Sequence, residues 1–85
     1  MNIEILSEDK NELEVKIDNV TIAELLRVYL NEQGVEFAAW KREHPSKPAI
    51  LRIKTSSGTV KKAVGDAVDA INKDFEKILS AVKKK

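Results

Sequence analysis

The chain has 85 residues and no cysteine, its formal net charge is +1, and 42% of its residues are hydrophobic. This length fits one small domain with a single core, and the lack of cysteine excludes disulfides and thiolate metal sites. No apolar run approaches the roughly 20 residues that a membrane span needs, and the N-terminal MNIEILSED lacks the pattern of a secretory signal. We therefore expect one domain over residues 1–85 in a cytoplasmic protein that does not enter membranes.

The charges are unevenly distributed along the chain. Residues 1–18 contain six acidic and two basic residues, whereas residues 59–85 contain seven basic and four acidic ones. The terminal lysines suit the negative end of a helix dipole. No aromatic residue is interleaved with them, as is common in segments that bind nucleic acid. The pattern predicts no direct, sequence-specific binding of nucleic acid.

Two segments near the N-terminus alternate apolar and polar residues, which is the period of a half-buried strand. In NIEIL, Ile3 and Ile5 flank Glu4, and LEVKI at residues 13–17 repeats the alternation after a polar turn. The two segments predict an antiparallel hairpin with one buried face.

The segment TIAELLRVYLNEQG, residues 21–34, changes to the period of a helix. Thr21 followed by Glu24 fits a capping box, in which each side chain accepts a hydrogen bond from a free backbone N–H of the first turn. Gly34 is typical of the residue just past a helix end. The apolar residues share one helical face: Ile22, Leu25, Leu26, Tyr29 and Leu30.

Two further strands and a long helix complete the pattern. VEFAAWK (35–41) and AILRIKT (49–55) are predicted as strands, and His44-Pro45 lies between them. Because proline lacks a backbone donor and disfavours helix in the residue before it, we interpret His44 and Pro45 as a structural turn. A long amphipathic helix is predicted over about residues 59–83. The order ββαββα predicts an α+β fold, a four-stranded antiparallel sheet with two helices on one face.

The last helix has an apolar stripe that is longer than its own sheet. About 24 helical residues reach about 36 Å, whereas strands of six residues cover about 20 Å. We expect Val64, Val68 and Ile71 to lie above the sheet, and Phe75, Ile78, Leu79 and Val82 to extend beyond it. Leaving the last four in water would forgo about 6–12 kcal/mol of burial, so we expect a partner to cover them.

The sequence predicts no active site. Acid–base or nucleophilic catalysis needs two or three groups within hydrogen-bonding reach, yet His44 is the one histidine. The three glycines are too scattered for a phosphate-binding loop, and the carboxylates are interspersed with lysines. We therefore predict no catalytic residue, no cofactor and no metal on this chain.

One segment and the element order together carry a family resemblance. The matched residues are Val35, Phe37, Ala38, Trp40 and His44-Pro45, before a strand that ends in Thr55 and the long final helix. In these features the whole chain resembles subunit L of archaeal RNA polymerase, which is related to the small assembly subunit of eukaryotic RNA polymerase II and to the dimerising part of the bacterial alpha subunit. The family has a second signature, Asp-His-Thr-Leu-Gly-Asn at the start of the first helix, which this chain matches poorly. The chain matches the signature at Thr21, Leu25 and Leu26, and Ile22 is a conservative change. It departs from the signature at Asn19, Val20, Ala23 and Glu24.

The resemblance implies a non-catalytic subunit of DNA-directed RNA polymerase, and so of a nucleotidyltransferase complex that acts in transcription. Members of the archaeal family pair with the larger D-type subunit by packing helices against its equivalent helices. That heterodimer is the platform on which the other polymerase subunits assemble. The sequence leaves open whether the isolated chain is a monomer, a homodimer or a larger assembly. We expect the partner interface to consist of Leu26, Leu30, Ile71, Phe75, Ile78, Leu79 and Val82.

Two other functions remain open at this level. One is a homodimeric scaffold in another complex, such as the dimerising subunit of the KEOPS tRNA-modifying assembly, which is expected to lack the His-Pro turn. The other is an RNA-binding module that uses the open sheet face, as RRM domains do, and that needs two aromatic residues on adjacent central strands. Since Phe37 and Trp40 have opposite parity in their strand, the sequence leaves undecided which of them faces the helices.

Overall fold

The computed structural model of the chain describes residues 2–83. Its elements, in chain order, are β1 (Ile3–Glu8), β2 (Glu12–Ile17), α1 (Val20–Glu32), β3 (Phe37–Lys41), β4 (Ala49–Lys54) and α2 (Val60–Lys83). The predicted order ββαββα is confirmed, and the element bounds agree with the predicted ones to within two residues.

The strands form one antiparallel sheet with the spatial order β1-β2-β4-β3. Val15 of β2 is paired with Leu51 of β4, and both are buried on the same face. The core cluster on that face consists of Val15, Ile17, Ala23, Leu30, Ala38, Ala49, Leu51, Ile53, Val60 and Ala67. Because both helices contribute to this one cluster, they cover a single face of the sheet, as the sequence predicts.

The start of α1 differs from the predicted capping box. Asn19 is the N-cap, with an extended backbone, and its side-chain oxygen accepts a hydrogen bond from the N–H of Ile22 at 3.1 Å. Asn is as strong an N-cap as Ser or Asp and stronger than Thr, so the helix begins earlier and Thr21 lies in its first turn. Glu24 is therefore not a capping residue, and its carboxylate binds other side chains.

The end of α1 is fixed by the backbone conformation of a glycine, and the start of α2 by a side-chain cap. Gly34 follows α1 with a φ of 83°, the left-handed conformation that only glycine adopts without strain, so the predicted helix end is confirmed. At the other junction, Thr59 caps α2 by accepting a hydrogen bond from the N–H of Lys62 at 3.2 Å. The N–H of Val60 donates to the carbonyl of Lys10 at 2.9 Å, which ties the first turn of α2 to the β1–β2 loop.

Trp40 faces the helices, which settles the question of parity in β3. Trp40 is paired with buried Leu51, and its indole Nε1–H donates to the Glu24 carboxylate of α1 at 2.9 Å. Phe37 is paired with Lys54 and lies on the opposite, open face of the sheet, where it is 46% exposed.

Candidate functional site

The C-terminal half of α2 carries large apolar side chains that the chain itself does not cover. We call four of them the distal stripe: Phe75, Ile78, Leu79 and Val82, which are 50–64% exposed. Ile71, one turn earlier, is half-buried. The expectation that the chain's own sheet leaves these four side chains uncovered agrees with their exposure.

The N-terminal half of α2 is rotated relative to the sequence-based expectation. Ala67 is fully buried, whereas Val68 is 41% exposed. The prediction that Val68 lies over the sheet as a core residue is therefore wrong. A small side chain at Ala67 permits close packing in the core, and the next residue is turned away by about 100°. Val64 and Ile71, the other two residues expected above the sheet, are half-buried, and Val64 packs against the core.

The α1 residues expected in the interface lie inside the fold. Leu30 is fully buried in the core, and Leu26 is half-buried and packed against it. Because both side chains pack within the chain's own core, they are not available to a partner. The exposed apolar residue of α1 is Val28, which sequence analysis missed. Val28 lies off the main apolar face of α1, so no pattern in the sequence indicates that it binds a partner.

A hydrogen bond joins the two helices. The Tyr29 hydroxyl of α1 donates to the Asp74 carboxylate of α2 at 2.7 Å. This bond raises the pKa of Tyr29 above its ordinary value, and desolvation and the negative charge of Asp74 act in the same direction. Asp74 is the one charge that interrupts the apolar stripe, and the bond explains how it is accommodated there.

A second polar cluster joins α1 to β3. Glu24 binds the Arg27 guanidinium through two hydrogen bonds and accepts the indole N–H of Trp40. The bond to Arg27, followed by the bond to Trp40, lowers the pKa of Glu24 to about 2. The same pairing raises the pKa of Arg27. Every member of the cluster is engaged within the chain, so we assign it a structural role.

His44 and Pro45 lie in the connection between β3 and β4. The N–H of Lys47 donates to the carbonyl of His44 at 2.8 Å, which closes a four-residue turn with Pro45 in its second position. The His44 ring Nδ1 lies 2.9 Å from the Ser46 hydroxyl, and both residues are exposed. The N–H of Ser46 also donates to the His44 Nδ1 at 3.3 Å, so both contacts of the ring lie within the turn and agree with a structural role.

The open face of the sheet is charged rather than aromatic. Its ion pairs are Glu4–Lys16 at 3.8 Å, Glu14–Arg52 at 3.7 Å and Glu36–Lys54 at 3.5 Å. Phe37 is the one aromatic residue on this face among residues 2–83. An RRM-type surface stacks bases on two or more aromatic rings, so this face does not support the RNA-binding alternative.

Within the described part of the chain, no cluster of His, Asp or Glu could hold a metal ion. Neither α1 nor α2 is long and apolar enough to cross a membrane. Five of the exposed large apolar side chains, Val68 and the four of the distal stripe, lie on α2, which makes this helix the candidate binding surface.

Comparisons with known proteins agree with this architecture. No curated protein matches the chain in amino-acid sequence. The crystal structure of DNA-directed RNA polymerase subunit L from Thermoplasma acidophilum has the same fold, with a TM-score of 0.83 and 21% sequence identity, over 98% of this chain and 86% of that one. The family model of the RNA polymerase Rpb3/Rpb11 dimerisation domain matches residues 10–81. The chain therefore belongs to the family of the RNA polymerase Rpb3/Rpb11 dimerisation domain.

Proposed function

We propose that this chain is the L-type assembly subunit of an archaeal DNA-directed RNA polymerase and pairs with a D-type subunit through the distal stripe. The single observation that carries this proposal is the exposure of Phe75, Ile78, Leu79 and Val82 in a member of a dimerisation-domain family. The pair then serves as the platform for the large catalytic subunits. The chain takes part in nucleotidyl transfer through the assembled enzyme, without an active site of its own.

The energetics of the distal stripe favour a partner. Full burial of a large apolar side chain contributes about 1.5–3 kcal/mol. Since half or more of each of the four side chains is exposed, covering them would contribute about 3–6 kcal/mol before the costs of association. A phenylalanine at the centre of such a contact is a typical hot spot. Phe75 is thus the first candidate for the anchor residue.

The polymerase is favoured over the alternative scaffold by the family match to residues 10–81. The same stripe would also let two copies of the chain associate when the D-type subunit is absent. In such a homodimer the distal stripe would be occupied by the second copy, so the D-type subunit would have to displace that copy in order to bind. Adding the D-type subunit should therefore convert any homodimer into a heterodimer.

The test is binding of the D-type subunit from the same genome by two variants. Phe75→Asp with Ile78→Lys places charges in the distal stripe, and Lys73→Asp with Ser80→Lys introduces the same two residues on the exposed polar side of α2. We expect the stripe variant to remain folded by circular dichroism and to lose binding of the D-type subunit in size-exclusion chromatography, while the control binds normally. Normal binding by a folded stripe variant would refute the proposal.

A further inference from the structure

The connection between β3 and β4 carries three cations that take part in no ion pair within residues 2–83. Lys41 ends β3, and Arg42 and Lys47 follow it in the connection. All three are exposed, and none is paired with an acidic side chain of the described residues. Glu43 is the one acidic residue of this segment. We call Lys41, Arg42 and Lys47 the basic loop.

The basic loop differs in this respect from the sheet beside it. The other three cations of the four strands are each paired with a glutamate, at 3.5–3.8 Å. Two acidic residues, Glu4 and Asp18, line the same shallow depression as Pro48, next to the loop. Glu4 is paired with Lys16, however, and neither acid is paired with the basic loop. The positive charge of the loop therefore remains available to another molecule.

The turn holds these cations close together. Lys41 is paired with Ile50, so the two ends of the connection are adjacent, and Lys47 lies three residues before Ile50. The backbones of Lys41 and Lys47 are therefore at most about 16 Å apart. The Lys47 N–H donates to the His44 carbonyl at 2.8 Å, and the His44 ring accepts the Ser46 N–H. These bonds order the loop before a partner arrives, which reduces the entropy lost on binding.

An acidic protein segment fits this surface better than a nucleic acid does. Three cations match the few carboxylates of a short segment, and the Arg42 guanidinium suits bidentate binding of one of them. Binding of nucleic acid relies on more phosphate contacts, about 6–10 in typical cases, and on bases stacked on exposed aromatic rings. The aromatic residue next to the loop is Trp40, whose indole is turned inward to Glu24.

We propose that the basic loop binds an acidic segment of a large polymerase subunit. This inference rests on the proposed function, in which the pair with the D-type subunit supports the large subunits. That role needs a contact in addition to the apolar distal stripe. An exposed charged loop suits a contact between two surfaces that are already folded, because its charges stay solvated until the complex forms. Complementary charge then speeds the encounter and disfavours wrong partners.

The test reverses the charge of the loop and compares it with the same reversal elsewhere on the surface. The loop variant combines Lys41→Glu, Arg42→Glu and Lys47→Glu. The control changes three other exposed lysines that form no ion pair within residues 2–83: Lys10→Glu, Lys73→Glu and Lys77→Glu. Each variant competes with the unaltered chain for incorporation into a polymerase reconstituted from the other subunits of the same genome.

We expect the loop variant to bind the D-type subunit normally and to be incorporated about tenfold less than the unaltered chain, with a smaller difference at salt well above 0.1 M, where charges are more strongly screened. The control should match the unaltered chain. Equal incorporation of a folded loop variant would overturn the inference. Loss of D-type binding by the loop variant would place the loop in the other interface and overturn it as well. Failure of the unaltered chain to bind the D-type subunit would instead refute the proposed function.

A chemical test on the unaltered polymerase covers the case in which the loop variant fails to fold. A carbodiimide joins a lysine amine to a carboxylate that it contacts, and mass spectrometry locates the joined residues. We expect Lys41 or Lys47 to be joined to an aspartate or glutamate of a large subunit. Links from these lysines to the D-type subunit alone, or to no other subunit, would overturn the inference. Binding of a labelled single-stranded DNA by the isolated chain, lost in the loop variant, would overturn the assignment to a protein partner.

Discussion

Charging two adjacent residues of α2 should have very different effects on the stability of the domain. Ala67 is fully buried in the core cluster, whereas Val68 is 41% exposed. Ala67→Asp places an unpaired carboxylate among the buried apolar side chains of the core cluster. Val68→Asp places the same group where water can still solvate it.

The expected magnitudes follow from burial. An uncompensated buried charge costs about 3–5 kcal/mol, and a domain of 85 residues has a total stability of about 4–13 kcal/mol. Ala67→Asp should therefore remove most of the stability. Val68→Asp forgoes the partial burial of one valine, or about 1–2 kcal/mol. An uncharged check is Ala67→Leu, which overpacks the helix contact and should cost about 1–3 kcal/mol.

The assay is urea unfolding of the three variants, followed by circular dichroism. We expect Ala67→Asp to be unfolded or nearly so without denaturant, and Val68→Asp to unfold cooperatively at a somewhat lower urea concentration than the unaltered chain. Equal loss of stability at the two positions, or greater loss at Val68, would show that α2 is rotated differently from the structure and would refute the reasoning.

Three further predictions concern the polar contacts. Because the folded state lowers the pKa of Glu24 from 4.5 to about 2, its contribution is complete above pH about 4.5 and is lost as the pH falls toward 2. The difference in urea midpoint between the unaltered chain and Glu24→Gln should shrink over that range, and a constant difference would contradict the assignment. Asn19→Ala should lower the free energy of unfolding by about 1 kcal/mol, and Thr21→Ala by less. A larger loss for Thr21→Ala than for Asn19→Ala would show that Thr21 is the cap, as in the predicted capping box. Tyr29→Phe should speed amide exchange in the distal half of α2, since it removes the bond to Asp74, and unaltered exchange would show that this bond does not position the helix.

Sequence patterns predicted the elements whose signals are local. Alternation in LEVKI placed Val15 and Ile17 on the buried face, and the conformational freedom of glycine placed the end of α1 at Gly34. The exposure of the distal stripe was expected from the apolar period and the length of α2. These features depend on the chain's own period and geometry, so neighbouring elements did not change them.

Features that depend on contacts between elements were not predictable in the same way. The period of α2 indicates the direction of its apolar face, but its rotation is set by the close packing at Ala67 and by the Tyr29–Asp74 bond. The N-cap was misassigned because Asn19 and Thr21 are both competent capping residues. The exposure of Ile3 depends on which strands the helices cover, and the alternation of NIEIL carries no information on that.

The most direct test of the central claim is hydrogen exchange of the unaltered chain, measured by mass spectrometry with and without the D-type polymerase subunit. We expect rapid exchange of residues 71–83 in the free chain, because the apolar side of α2 is exposed there, and strong protection of that segment in a one-to-one complex. Protection confined to other segments, or an unchanged exchange pattern when the partner is present, would contradict the claim that the distal stripe binds the partner.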